Sequence, residues 1–162
     1  MKAAARWFFC IALGLQACAD NGDRNRQVHT SFSELTGLTV VDDKGNSQLL
    51  IKGSLASRAV VSADGQWIAA EDMKMSNLVV VRVFRFNGDR YQEIPMPELR
   101  QHWVTLARKA GVEIEDLIRP RVGVEKFGAS GTSVILSFQA DTGMGDSPVI
   151  DALVEIKLIP ES

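Results

Sequence analysis

The sequence predicts an α+β fold that is mostly β: an antiparallel meander of about eight strands with one amphipathic helix, at about 97–110, packed on it. Three observations carry this. Leu78 to Phe86, LVVVRVFRF, is apolar on both faces apart from Arg82 and Arg85, the pattern of a strand covered on both sides. Short apolar runs are separated by turn clusters at Asp42 to Asn46, Ala63 to Gln66 and Asn87 to Asp89, as hairpins require. One stretch alone shows a helical period, with Leu99, Trp103, Leu106 and Ala110 on a single stripe.

In chain order, Leu35 to Val41 is the first expected strand, rich in β-branched residues. Asp42-Asp43-Lys44-Gly45-Asn46 turns it into a return strand at Gln48 to Lys52. The paired acids there fit a hairpin loop, because Gly and Asn accept positive φ and Asp caps the turn. Ala59 to Ser62 and Trp67 to Ala70 form the next hairpin, and Glu71 to Asn77 reads as a polar crossing. Leu78 to Phe86 is the central strand, with Leu78, Val80, Phe84 and Phe86 on one face and Val79, Val81 and Val83 on the other. Tyr91 to Ile94 returns from it, and Pro95-Met96-Pro97 stops that strand. Pro97 suits a first helical turn, Arg108 and Lys109 favour the last, and Gly111 ends it. The helix is expected to cover one face of Leu78 to Phe86. Val122 to Phe127 and Thr132 to Ala140 then read as a hairpin, and Val149 to Ile159 as the last strand.

The first 31 residues read as targeting sequence rather than fold. Lys2 and Arg6 precede an apolar run, Trp7 to Leu15, which is too short to span about 30 Å of hydrocarbon and suits a secretory signal. Leu15-Gln16-Ala17-Cys18 resembles a bacterial lipobox, in which the cysteine is acylated and becomes the mature N-terminus. Gln16 stands where that pattern prefers a small or β-branched residue. Ala17-Cys18-Ala19 also matches an ordinary signal-peptidase site, so a soluble periplasmic or secreted product is the alternative. The expected organisation is a signal peptide at 1–17, a flexible tether at 18–31 and a single β-rich domain at 32–162. The tether, of roughly a dozen residues, would reach about 20 Å. Asp20 lies one place beyond the position next to the cysteine that marks inner-membrane retention in bacterial lipoproteins. The resemblance therefore implies the outer membrane, facing the periplasm.

Composition narrows the chemistry. The net charge is −2, and loss of residues 1–17 removes Lys2, Arg6 and no acid, leaving −4. Such a chain lacks the concentrated basic face that nucleic acid demands. Its two cysteines, Cys10 and Cys18, leave the domain without a thiol nucleophile, disulfide or cysteine metal site. His29 falls in the tether. His102 borders the helix stripe with no serine or cysteine in sequence for it to activate.

Ser62-Ala63-Asp64-Gly65-Gln66-Trp67-Ile68-Ala69, followed by Leu78-Val79-Val80-Val81, resembles one blade of a TolB-type β-propeller, with Ala63 in place of the usual proline. The likeness covers about 30 residues. It implies an antiparallel meander and no functional residue, because a propeller needs at least four blades of about 40 residues.

Asp141-Thr142-Gly143 matches the aspartic-protease triplet. That chemistry needs two such aspartates sharing a proton, and the sequence context differs here. Asp141 and Asp146 in the same loop could form a weak calcium site. The reading preferred is a glycine-rich hairpin loop, which could also serve as a mobile binding loop with Asp141, Met144 and Asp146 as candidate contacts. The expected function is a lipid-anchored, non-catalytic envelope domain that binds another envelope protein, with no cofactor and no metal. The alternative is a small envelope enzyme or ligand-binding protein using Asp64, Glu71 and Asp72; two of these converging in a buried pocket would favour it. A purely structural surface protein is the third reading.

Overall fold

The computed structural model describes residues 26–33, 36–53, 58–75, 78–142 and 149–158. Among them, ten strands form three antiparallel sheets. β1 (Val28–Ser33), β2 (Gly37–Asp42) and β3 (Ser47–Lys52) make the first. β4 (Ala59–Val61), β5 (Trp67–Met75), β6 (Leu78–Phe86) and β7 (Tyr91–Ile94) make the second, in sequential order. α1 (Arg100–Ala110) and a 3-10 turn at Ile114–Asp116 lead into the third: β8 (Ile118–Phe127), β9 (Ser133–Asp141) and β10 (Ile150–Lys157).

The mostly-β, antiparallel character with one α-helix is as expected; the single eight-stranded meander is not. The reason lies in β6. Its side chains divide as the alternation requires, and each half enters a different core. Phe84 joins Ile68, Ala70 and Tyr91 against Leu38, Val40 and Ile51 of the first sheet. Val81 and Val83 join Trp67 and Ala69 in a second cluster with Val124, Val134, Leu136 and Phe138 of the third. A sheet that is apolar on both faces needs two covers, and further strands added at its edges would supply neither. Here the first and third sheets supply them.

The helix also departs from expectation. It begins at Arg100, with Leu99 as its cap residue, three places after Pro97. Its main contacts are with β10 and the 3-10 turn, and Leu99, Trp103 and Leu106 pack against the cluster that also holds Val81 and Val83 of β6. The Trp103 ring meets Phe138 edge-on at 4.9 Å, and the His102 ring lies 6.1 Å from the same side chain. Ala107, rather than Ala110, is its buried residue. Gly111 ends the helix in the left-handed region at φ 73°, as its position predicts.

Two strands lie where polar sequence suggested none. β1 occupies Val28–Ser33 and pairs with β2 along its whole length, so the part of the expected tether from Val28 to Ser31 is strand. β5 runs on through Glu71 and Asp72 to Met75, where a polar crossing was expected. The polar residues there are paired, as described below.

Gly65 fixes the relation of Arg26 to the central sheet. It sits at φ 65°, and a Cβ on it would lie 2.0 Å from the Arg26 carbonyl oxygen. The Arg26 N–H donates to the Asp64 carbonyl at 3.1 Å, and the Tyr91 hydroxyl donates to the Gly65 carbonyl. The Asp-Gly turn is thus both a hairpin and the seat of the first described residue.

Candidate functional site

At the Gly65 end, Arg26 lies over the Phe86 ring, 3.8 Å from its centroid, and its Nη2 meets Asp42 Oδ2 at 3.0 Å. The loop after β2 closes on the same carboxylate. Asp42 accepts from the Lys44 N–H at 3.0 Å, the Asn46 N–H at 2.8 Å and Asn46 Nδ2 at 3.0 Å. These bonds, the Asn46 side chain first, outweigh the cost of burial and hold Asp42 below the usual carboxylate range. The loop reading of Asp42 to Asn46 therefore has a physical basis: the acid is used to order the turn. A cleft of about 520 Å³ opens here, lined by Arg26, Asp42, Gln48, Phe86, Arg90 and Tyr91 among others.

Gln48 does something that sequence gave no hint of. Its Nε2 donates to the Tyr91 carbonyl at 2.7 Å, and its Oε1 accepts from the Tyr91 N–H at 2.8 Å. The side-chain amide takes the place of a further strand on the outer edge of β7. β8 is treated similarly. Its pairing with β9 shifts between Val124 and Lys126, which leaves backbone groups for other partners. Glu71 Oε1 accepts from the Val124 N–H at 2.8 Å, and Arg58 Nη2 donates to the Glu125 carbonyl at 3.3 Å.

The three carboxylates singled out in the sequence do not converge. Asp64 accepts from the Ser62 hydroxyl and the Gln66 N–H within its own turn. Glu71 and Asp72 are consecutive on β5 and point to opposite faces; Glu71 holds β8. Asp72 is 1% exposed and contacts Lys74 Nζ at 2.5 Å and Arg82 Nη1 at 3.3 Å. Arg82 in turn forks onto both carboxylate oxygens of Glu93. That hydrogen bonding is the largest influence on both partners, keeping Glu93 below its ordinary pKa and raising that of Arg82.

The charged chain borders a groove of about 620 Å³ lined by Lys74, Val80, Val81, Arg82, Glu93, Ile94, Pro95 and Met96. The groove exists because β7 is short. It pairs only with Val83 to Phe86, and the chain turns away at Pro95, leaving the first half of β6 without β7 beside it. Leu78 and Val80 are there 46% and 40% exposed.

Of the loop candidates, Asp141 ends β9, and its Oδ2 lies 3.6 Å from Arg119 Nε. Arg119 has a φ of 52°, a left-handed conformation unusual outside glycine. Met144 and Asp146 lie outside the described residues, as does Cys18. His29 is exposed on β1 and His102 is half-buried beside Phe138. Among the described residues no group of three His, Cys, Asp or Glu side chains could hold a metal ion, and no helix is long and apolar enough to cross a membrane.

No family model matches the sequence, and no curated protein matches it.

Proposed function

We propose that this chain is a lipid-anchored protein of the bacterial cell envelope, acylated at Cys18 and held in the outer membrane facing the periplasm. Its β domain is a non-catalytic module that binds an extended apolar segment of another envelope protein in the groove beside β6. One observation carries the reading: the chain joins the domain at one end of the central sheet and the groove opens toward the other. Arg26, eight residues after Cys18, is seated on the Gly65 turn at the start of β5. Lys74 and Val80 lie near the other end of β5, where it pairs with the start of β6. Nine strand residues span roughly 27 Å at about 3.3 Å each. A tether at Cys18 would therefore hold the Arg26 end toward the membrane and present the groove away from it. The groove offers Val80, Ile94 and Met96 for apolar contact, while Lys74, Arg82 and Glu93 at its border can fix the orientation of a bound segment.

The alternative enzyme reading would be favoured by two of Asp64, Glu71 and Asp72 converging in a buried pocket; each instead has a separate partner. Two measurements test the proposal in cells. Mass spectrometry of the mature N-terminus should find a diacylated or triacylated Cys18; an unmodified start at Asp20 would overturn the anchor. A photo-crosslinking amino acid at Val80 or Met96 should capture a discrete envelope partner. Equal capture from a control position on the exposed helix end, Lys109, would overturn the groove.

A further inference from the structure

We propose that Asp42, Phe86 and Tyr91 form a binding site for a guanidinium group, that Arg26 fills it in cis, and that an arginine side chain of a partner protein takes it by displacing Arg26. The proposal rests on neither the lipid anchor nor the groove beside β6. The present occupant shows what the site recognises. The Arg26 guanidinium carbon stands 3.8 Å from the centre of the Phe86 ring and 5.8 Å from that of Tyr91, both within reach of a cation–π attraction. Its Nη2 donates to Asp42 Oδ2 at 3.0 Å. A planar cation with several donors satisfies the rings and the carboxylate together, which a compact ammonium does less well.

The walls of the site are held by bonds that do not involve Arg26. Asp42 is fixed by the Lys44 and Asn46 N–H groups and the Asn46 side chain. The Tyr91 backbone is held by Gln48, and its hydroxyl by the Gly65 carbonyl. The Phe86 N–H donates to the Gln66 carbonyl at 2.8 Å, and its ring meets that of Tyr91 at 5.3 Å. Such a site is preorganised for its ligand. Arg26 itself fits it poorly. Asp42 Oδ1 is taken by the loop N–H groups, so Arg26 makes a single hydrogen bond to the carboxylate instead of the two-bond fork that arginine favours. Its Nε is buried and has no hydrogen-bond partner among the described residues, a cost that a guanidinium entering along another line escapes. Arg26 lies two residues before β1, so it can lift away with the pairing of β1 and β2 intact. The cleft of about 520 Å³ gives an incoming side chain room. The other charges lining that cleft, Asp89 and Arg90, are opposite in sign and both exposed, so Asp42 sets the polarity of the site. A site filled in cis binds an outside ligand more weakly, in proportion to the fraction of time it stands vacant. Removing Arg26 should therefore strengthen binding.

The test is a titration of the full chain in detergent with N-acetyl-arginine amide, followed by nuclear magnetic resonance of the Asn46 and Tyr91 amides. Arg26→Ala should bind this probe with a dissociation constant of roughly millimolar order, about ten-fold or more tighter than the wild type. N-acetyl-lysine amide should bind the same variant about ten-fold more weakly. Adding Phe86→Leu, which removes the ring face, should weaken the arginine probe by a similar factor. In the wild type, saturating probe should shift the Arg26 Nε–H resonance as that side chain is displaced. Should Arg26→Ala fail to fold, Arg26→Gln, which lacks the charge but keeps most of the stem, carries the same expectations. A folded variant whose two amides stay unmoved up to the solubility of the probe would overturn the proposal. So would equal binding by wild type and variant, equal binding of the arginine and lysine probes, binding indifferent to Phe86→Leu, or a wild-type complex in which Arg26 has not moved.

Discussion

Replacing Gln48 with alanine tests whether one side chain really stands in for a strand. The amide makes two hydrogen bonds to the backbone of Tyr91, at 2.7 and 2.8 Å, and Tyr91 is only 5% exposed. Truncation leaves a donor and an acceptor without partners. An unsatisfied buried polar group costs about 1–3 kcal/mol, which would suggest up to about 6 kcal/mol for the pair. Gln48 lines a cleft of about 520 Å³, however, and the space vacated joins it, so water can reach both groups. The expected loss is therefore near the lower end, about 1–3 kcal/mol in total. Against a domain stability of about 5–15 kcal/mol that is a substantial fraction. Urea unfolding followed by tryptophan fluorescence reads it directly. With a slope of about 2 kcal/mol per molar, the midpoint should fall by about 0.5–1.5 M at unchanged slope. Gln48→Glu keeps the acceptor for the Tyr91 N–H but sets a carboxylate against the Tyr91 carbonyl, so it should not recover the loss at neutral pH. A midpoint unchanged within error for Gln48→Ala would show that the edge of β7 needs no cap.

Two further predictions concern the Arg26 end of the central sheet. Gly65→Ala places a Cβ 2.0 Å from the Arg26 carbonyl at a φ of 65°, so Arg26, two residues before β1, must move. Stability should fall by about 1–3 kcal/mol, and the backbone at Arg26 should become readily cleaved in limited proteolysis; unchanged protection would refute the close approach. Tyr91 is the only tyrosine of the chain, so absorbance at alkaline pH reports it alone. Burial, the largest influence, raises its pKa above 10.0 despite the opposing field of Arg26. A group whose folded pKa is raised contributes stability below its unfolded pKa. That contribution is lost as pH rises from about 10 through the folded value. Phenolate should therefore form in the folded protein with a midpoint above 10.0, and a midpoint at or below that value would refute the burial.

The parts of the fold that sequence made legible are those decided locally. β6 is a run of nine residues whose two apolar faces are plain in the alternation. The Ser62 to Trp67 turn follows from Asp-Gly chemistry, and Gly111 marks the helix end. What escaped depends on partners far along the chain. β1 is polar, and becomes a strand because β2 pairs with it across a turn. β5 continues through Asp72 because Arg82 and Lys74 neutralise a carboxylate that would otherwise bar it from a sheet. The division into three sheets follows from burial of both faces of β6, but which strands do the covering cannot be read from periodicity. The same limit hid the candidate site. Gln48 and Tyr91 are 43 residues apart, Glu71 and Val124 53, Arg58 and Glu125 67. None forms a motif. The carboxylates that did look like a motif proved to be three unrelated structural devices.

The double burial of β6 also governs how the protein comes apart. Neighbouring residues of that strand report to different cores: Val83 to one, Phe84 to the other. Peeling away the first sheet bares one face of the shared sheet to water, and removing the third bares the other. Each cover thus steadies a strand that the other also needs, and partial unfolding from either side costs more than the departing sheet's own contacts. The expected behaviour is a single cooperative transition in which the central amides of β5 and β6 are the last to exchange with solvent. Mutations at odd and even positions of β6 should then destabilise the protein as a whole, although their side chains never meet.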